Sequence, residues 1–152
     1  MDVRSHWDRV YGTKTDQQVS WFEASPSTSL ELIDAAGAAI DGCVIDIGGG
    51  NSRLIDALLA SGMRCLTVLD VSGIALDAAR VRLGSAADVV RWIEADVTAE
   101  WSAAPVDIWH DRAVFHFLTD AVDLASPKRR RYHRLHVPTA GAASAVPGMR
   151  QC

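Results

Sequence analysis

The sequence predicts an α/β fold, a doubly wound parallel sheet of about four strands within residues 1–120. Three observations carry that prediction. Short β-branched runs alternate with amphipathic stretches of helical period, as successive βαβ units require. The first run, Val44-Ile45-Asp46-Ile47, leads into the turn Gly48-Gly49-Gly50 and then into a helix start at Asn51-Ser52. An open parallel sheet builds a nucleotide-type pocket this way, at the carboxyl ends of its strands. Finally, Asp46, Asp70 and Asp96 stand at or near the ends of three successive runs. A pocket ringed by carboxylates favours a cationic ligand over a phosphorylated one.

Each element has a local cause. Trp7, Val10 and Tyr11 fall at helical spacing within residues 4–11, and residues 12–18 are polar and loop-like. Val19-Ser20-Trp21-Phe22 returns an aromatic pair, and Ser25-Pro26-Ser27 signals entry into a helix that carries Leu30, Ile33 and Ala36 as far as Gly37. Residues 1–40 thus form an expected helical lid ahead of an α/β core at 41–120. Strand one is expected at Cys43–Ile47, followed by a helix from Asn51 or Ser52 to Ala60 that stops at Gly62. Strand two is Cys65–Leu69, closed by Asp70. Ser72 caps a helix over Gly73–Leu83 that Gly84 ends. Strand three is Val89–Glu94, strand four Val106–Trp109 after Pro105, and a short helix is expected over Arg112–Leu118. After Asp120 no strand-like run stands out. Residues 121–152 hold one acid against six Lys/Arg, whereas residues 1–120 hold 18 acids against nine. This basic, Ala/Gly/Ser/Pro-rich tail is expected to be disordered or non-native.

Size and composition set outer bounds. A chain of 152 residues, 49% apolar, suits one soluble domain with a reasonable core. Its first residues are charged and polar, so no signal peptide is expected. No apolar run approaches the ~20 residues of a bilayer span. Cys43, Cys65 and Cys152 have neither CxxC spacing nor an even count, which predicts a reduced, cytoplasmic setting. His110, Asp111 and His116 lack a convincing metal-ligand spacing, so no metal is expected.

The glycine turn admits two ligands. An acid about 20 residues beyond it has the spacing of a ribose-binding carboxylate, which makes NAD a candidate. Against NAD, Arg53 replaces the third glycine of GxGxxG, and Asp46 would repel a pyrophosphate. The sulfonium and α-ammonium of S-adenosylmethionine (SAM) would be attracted by it. In a SAM site, backbone at Gly48 and Gly50 admits the methionine end, and Asp70 accepts from both ribose hydroxyls. Asp96 accepts from the adenine amino group beside the Val97 amide, with Val71 and Ile74 against the ring. The plainer alternatives stay open: a simple tight turn at 48–50, and helix-capping or surface roles for Asp46, Asp70 and Asp96.

On these residues the chain resembles class I SAM-dependent methyltransferases, whose fold is Rossmann-like. The likeness runs from Ser5 to about Asp120. It is greatest to a branch with Trp-Asp-x-x-Tyr near the N-terminus, a later Trp-Phe and a Gly-x-Gly-Asn-Ser loop. Here these are Trp7-Asp8-Arg9-Val10-Tyr11, Trp21-Phe22 and Gly48-Gly49-Gly50-Asn51-Ser52. That branch includes lysine methyltransferases of elongation factor 1A and citrate synthase. The resemblance implies that Trp7, Tyr11 and the segment around Val19 fold over the cofactor. It also implies that Gly48, Asp70, Val71, Asp96, Val97 and Arg112 contact SAM. His110 and Asp111, just past strand four, are the candidate contacts to a methyl acceptor of unknown class, since a protonated nucleophile needs a nearby base. His110 and His116 could equally be core or helix-surface residues.

The family has strands and a terminal hairpin beyond strand four that residues 121–152 do not suggest. The tail's composition is that of a GC-rich gene read out of frame, so departure from the family by truncation or frameshift is expected after about residue 120. Strand four would then be an exposed edge, suited to a homodimer. The basic run Lys128–Arg131 could contact nucleic acid, although short basic runs are usually only solvated. Three functions follow in order: a SAM-dependent methyltransferase, impaired if its C-terminal strands are lost; a non-catalytic SAM-binding or partner-binding module; and an NAD(P)-binding oxidoreductase.

Overall fold

The computed structural model describes residues 2–13, 25–112, 114 and 133–137. Its elements in chain order are α1 (Val3–Thr13), α2 (Ser27–Ala35), β1 (Val44–Ile47), α3 (Leu54–Ala60), β2 (Leu66–Asp70) and α4 (Gly73–Leu83). A 3-10 turn (Gly84–Val89), β3 (Val90–Glu94), β4 (Ile108–Arg112) and β5 (His133–Val137) follow. The strands form one sheet in the order β3-β2-β1-β4-β5, with every neighbouring pair parallel. Every residue of β1 and β2 is buried, as strands covered on both faces require.

One face of the sheet, with Val44, Leu66, Val68, Val90 and Ile108, packs against Ile33 of α2, Leu54, Ile55 and Leu58 of α3, and Leu76 of α4. The other face presents Ile45, Ile47, Leu69 and Trp109. The irregular stretch between β3 and β4 covers it, through Val97, Trp101, Ala103 and Val106. The indoles of Trp101 and Trp109 lie 5.8 Å apart.

The helices and the first three strands fall where the sequence places them, within a few residues. Ser72 caps α4, its hydroxyl accepting from the Ala75 amide at 3.3 Å, and Gly84 ends the helix with φ 57°.

Three expectations need correction. First, β4 begins at Ile108 and runs through Arg112, so Arg112 belongs to a strand and not to a helix start. Of the helix expected over residues 112–118, the rest falls almost wholly outside the described residues.

Second, residues 133–137 form a fifth strand paired with β4, from Ile108 opposite His133 to Arg112 opposite Val137. The sequence hides this strand because only Leu135 and Val137 are apolar in a run of basic residues and histidines. Backbone pairing, which is indifferent to side chain, supplies the rest. The tail is therefore not wholly without structure. β4 is not the sheet's edge, and dimerisation through a bare β4 loses its basis.

Third, Cys43 and Cys65 form a disulfide, with Cα atoms 4.5 Å apart across a sequence separation of 22. Spacing rules look for local pairs. Here the register of β1 on β2, with Val44 opposite Leu66, sets the two preceding residues side by side. The expectation of reduced cysteines fails at this pair, and with it the ground for a cytoplasmic setting. Among the described residues, no helix is long and apolar enough to cross a membrane.

Candidate ligand site at the carboxyl ends of the strands

Beyond β1 the chain turns at Gly48, whose N–H donates to the Leu69 carbonyl at 2.7 Å. That bond ties the loop to the end of β2, where Asp70 stands. A Cβ at Gly50 would lie 2.6 Å from Asp70 Oδ2 and 2.9 Å from the Ala75 side chain. Only a residue without a side chain lets the backbone pass so close to the carboxylate. Asp70 is 5% exposed, and its Oδ1 accepts from the Ser72 amide at 2.9 Å. Burial lifts its carboxyl from the ordinary 3.8 to about 6, with the charge of Asp46 adding to the rise. Amides of Ser72, Gly50 and Val71 work against it. The result is a buried carboxylate that is ionised at neutral pH, held by backbone amides and set at a strand end.

Helix α1 reaches the same place. Asp8 accepts from the Ser72 hydroxyl at 2.6 Å, and Arg4 pairs with Glu94 at the end of β3. Gly12 lies beside Ile74, which is 45% exposed in the first turn of α4. These contacts lay α1 along the N-terminus of α4 and the end of β3. It carries Trp7 and Tyr11, half-buried, with ring centroids 6.0 Å apart. Val71 follows Asp70 and is half-buried. Past β3, Asp96 Oδ1 accepts from both the amide and the hydroxyl of Thr98, at 2.8 and 2.7 Å. Through Oδ1 Asp96 closes a local turn. Val97 turns its side chain into the second core.

The sequence-predicted site residues separate into two groups. Gly48, Gly50, Asp70, Val71, Trp7, Tyr11 and Asp96 are distributed around the carboxyl ends of β1, β2 and β3. Asp46 does not face outward with them. It is 2% exposed, and its Oδ1 lies 2.7 Å from Nδ1 of His110. His110 is itself 2% exposed and bonded on its other side to Ser29, at 3.0 Å. Asp111 is fully buried and accepts from the Val114 amide at 3.2 Å. Neither His110 nor Asp111 is exposed to meet an acceptor. The length of β4 explains their position, because it runs on through both to Arg112 instead of releasing them into a loop. Val19, His116 and the side chain of Arg112 lie outside the described structure.

Ser29 was missed by sequence reasoning, and no local pattern marks it. Asp46 of the Asp46–His110 pair has a faint signal, as the one polar residue of β1, and His110 has none. Among the described residues no group of His, Cys, Asp and Glu is arranged to hold a metal ion.

No family model and no curated protein matches this chain. Solved structures do. The complex of DhpI with SAM and HEP superposes with a TM-score of 0.63 at 20% identity, over 85% of this chain and 58% of that one. The glycopeptide N-methyltransferase MtfA with S-adenosyl-L-homocysteine gives 0.59 at 20%, over 88% and 58%. A Pyrococcus horikoshii protein assigned as an RNA methyltransferase gives 0.54 at 22%, over 86% and 76%. The chain has the class I methyltransferase fold. It spans about three-fifths of the length of MtfA.

Proposed function

We propose that this chain binds SAM at the carboxyl ends of β1–β3 and serves a methyl transfer whose acceptor is not assigned. The observation that carries this reading is Asp70. A buried carboxylate at a strand end, lifted by burial to about 6 and pressed by a glycine turn, keeps acceptor capacity beyond its backbone amides for a ligand's donors. Two ribose hydroxyls would supply them, one to each oxygen. The backbone at Gly48 and Gly50 leaves room for the methionine end. Val71 and Ile74 offer apolar surface to the adenine, with Asp96 and the Val97 amide at its polar edge. Trp7 and Tyr11 on α1 close over the nucleoside. Methyltransferases crystallised with SAM or its product share the fold, which supports the choice of ligand.

SAM supplies an electrophilic methyl group, and the protein's task is to hold it in line with a nucleophile at near-attack distance. The residues named above bind and orient. His110 and Asp111, sealed within the sheet, are not assigned to the acceptor. The finer likeness to lysine methyltransferases rests on Trp7-Asp8-Arg9-Val10-Tyr11, Trp21-Phe22 and Gly48-Gly49-Gly50-Asn51-Ser52 together.

Calorimetric titration with SAM, S-adenosylhomocysteine and NAD tests the reading. SAM and its product should bind and NAD should not. Asp70→Ala should weaken SAM binding by roughly 10- to 100-fold, as loss of hydrogen bonds to a charged acceptor does. Binding of NAD in place of SAM would restore the oxidoreductase. SAM binding without methylation of any component of a cell extract would mark a non-catalytic module.

A further inference from the structure

A second polar cluster lies beneath the glycine turn, inside the core. Asp46 of β1 and His110 of β4 are register partners on adjacent parallel strands, so both side chains rise from the same face of the sheet. Ser29 of α2 comes down onto them. The His110 ring lies 2.7 Å from Asp46 Oδ1 through Nδ1 and 3.0 Å from the Ser29 hydroxyl through Nε2. All three residues are at most 2% exposed. A buried carboxylate demands a donor, which puts the proton of a neutral imidazole on Nδ1. Nε2 then accepts from Ser29. A chain in the order Ser-His-Asp invites comparison with a hydrolytic triad, but a hydroxyl 1% exposed under its own helix is a clamp and not a nucleophile.

The remaining oxygen shows what is clamped. Asp46 Oδ2 is buried and has no hydrogen-bond partner among the described residues. It lies directly under Gly49, where a Cβ would come within 2.5 Å of it. The carboxylate is therefore the floor on which the turn rests, with the imidazole gripping it from the side. Its orientation has two consequences for the site above. It fixes the height of the backbone at residues 48–50, and its charge acts on Asp70.

We propose that His110 is a positioning residue for the ligand site: through the Ser29–His110–Asp46 chain it holds the carboxylate that supports the Gly48–Gly50 turn. The proposal rests on the SAM reading above. It reassigns His110 from the acceptor side of the reaction to the cofactor side.

Two conservative variants separate positioning from plain structural support. In His110→Asn the amide nitrogen can take the place of Nδ1, keeping Asp46 and losing Ser29. In His110→Gln the amide reaches the place of Nε2, keeping Ser29 and losing Asp46. Each variant loses one buried hydrogen bond, so both should melt lower than the wild type. Measured by calorimetry well below either midpoint, His110→Asn should bind SAM within about threefold of wild type and His110→Gln about tenfold or more weaker, one lost hydrogen bond being about a factor of ten. Equal affinities in the two folded variants would overturn the proposal.

A measurement on the unmutated protein covers the case in which a variant does not fold. With 15N-histidine labelling, the Nδ1–H resonance of His110 should move when SAM saturates the site. A resonance that stays in place while SAM binds overturns the proposal equally. Wild-type protein that binds no SAM overturns the underlying reading instead.

Discussion

Asp70 sits where folding and binding make opposite demands. Its carboxyl is raised from 3.8 to about 6 in the folded chain, chiefly by burial. Between those values the native state holds more protons than the unfolded one, so stability falls as pH rises through this window. Above pH 6 the full cost is present, about 3 kcal/mol at most. Asp70→Asn should remove the decline between pH 4 and 6 and raise stability at pH 7 by about 1–3 kcal/mol, while SAM binding weakens roughly 10- to 100-fold, as in Asp70→Ala. Urea unfolding at several pH values measures this, and an unchanged decline in the variant would place the titration elsewhere. Asp70 was legible in the sequence because an acid closing a β-branched run needs no knowledge of distant residues. His110 was not. Its partner Asp46 is 64 positions away, and only the adjacency of β1 and β4 brings the two together.

Among the elements, β1 and β2 are tied both by backbone pairing and by the disulfide at their starts, at the opposite end from the turn. A bridge across 22 residues restrains the unfolded chain by about 3 kcal/mol on a chain-entropy account. The double variant Cys43→Ser/Cys65→Ser should therefore lose stability of that order in urea while keeping its affinity for SAM. A large loss of affinity would mean that the bridge shapes the site. Helix α4 was fully legible, cap and stop included, because Ser72 and Gly84 act locally. The strand β5 was not, since its pairing with β4 is made by backbone. The cover of the second sheet face by an irregular segment was equally hidden, because Trp101 and Val97 reach it without any periodic pattern.

At the scale of the whole molecule, the parallel order β3-β2-β1-β4-β5 converges three strand ends and the N-terminus of α4 on one rim. Helix α1 returns to that rim through Asp8 and Arg4. The class of fold could be read from the sequence because the buried strands β1 and β2 leave largely apolar runs, one leading into Gly48 and the other closed by Asp70. The outward ring of three acids could not, since Asp46 points inward and bonds to His110. Of the three acids, Asp70 and Asp96 remain at the strand ends, and the SAM reading stands chiefly on Asp70. The most direct test is the affinity of the wild-type chain for SAM at pH 7.5 and at pH 5. The carboxylate is ionised at the first pH and about nine-tenths protonated at the second, given its value near 6. SAM should bind at pH 7.5 and about tenfold more weakly at pH 5. No binding at pH 7.5, or equal binding at both, would contradict the account.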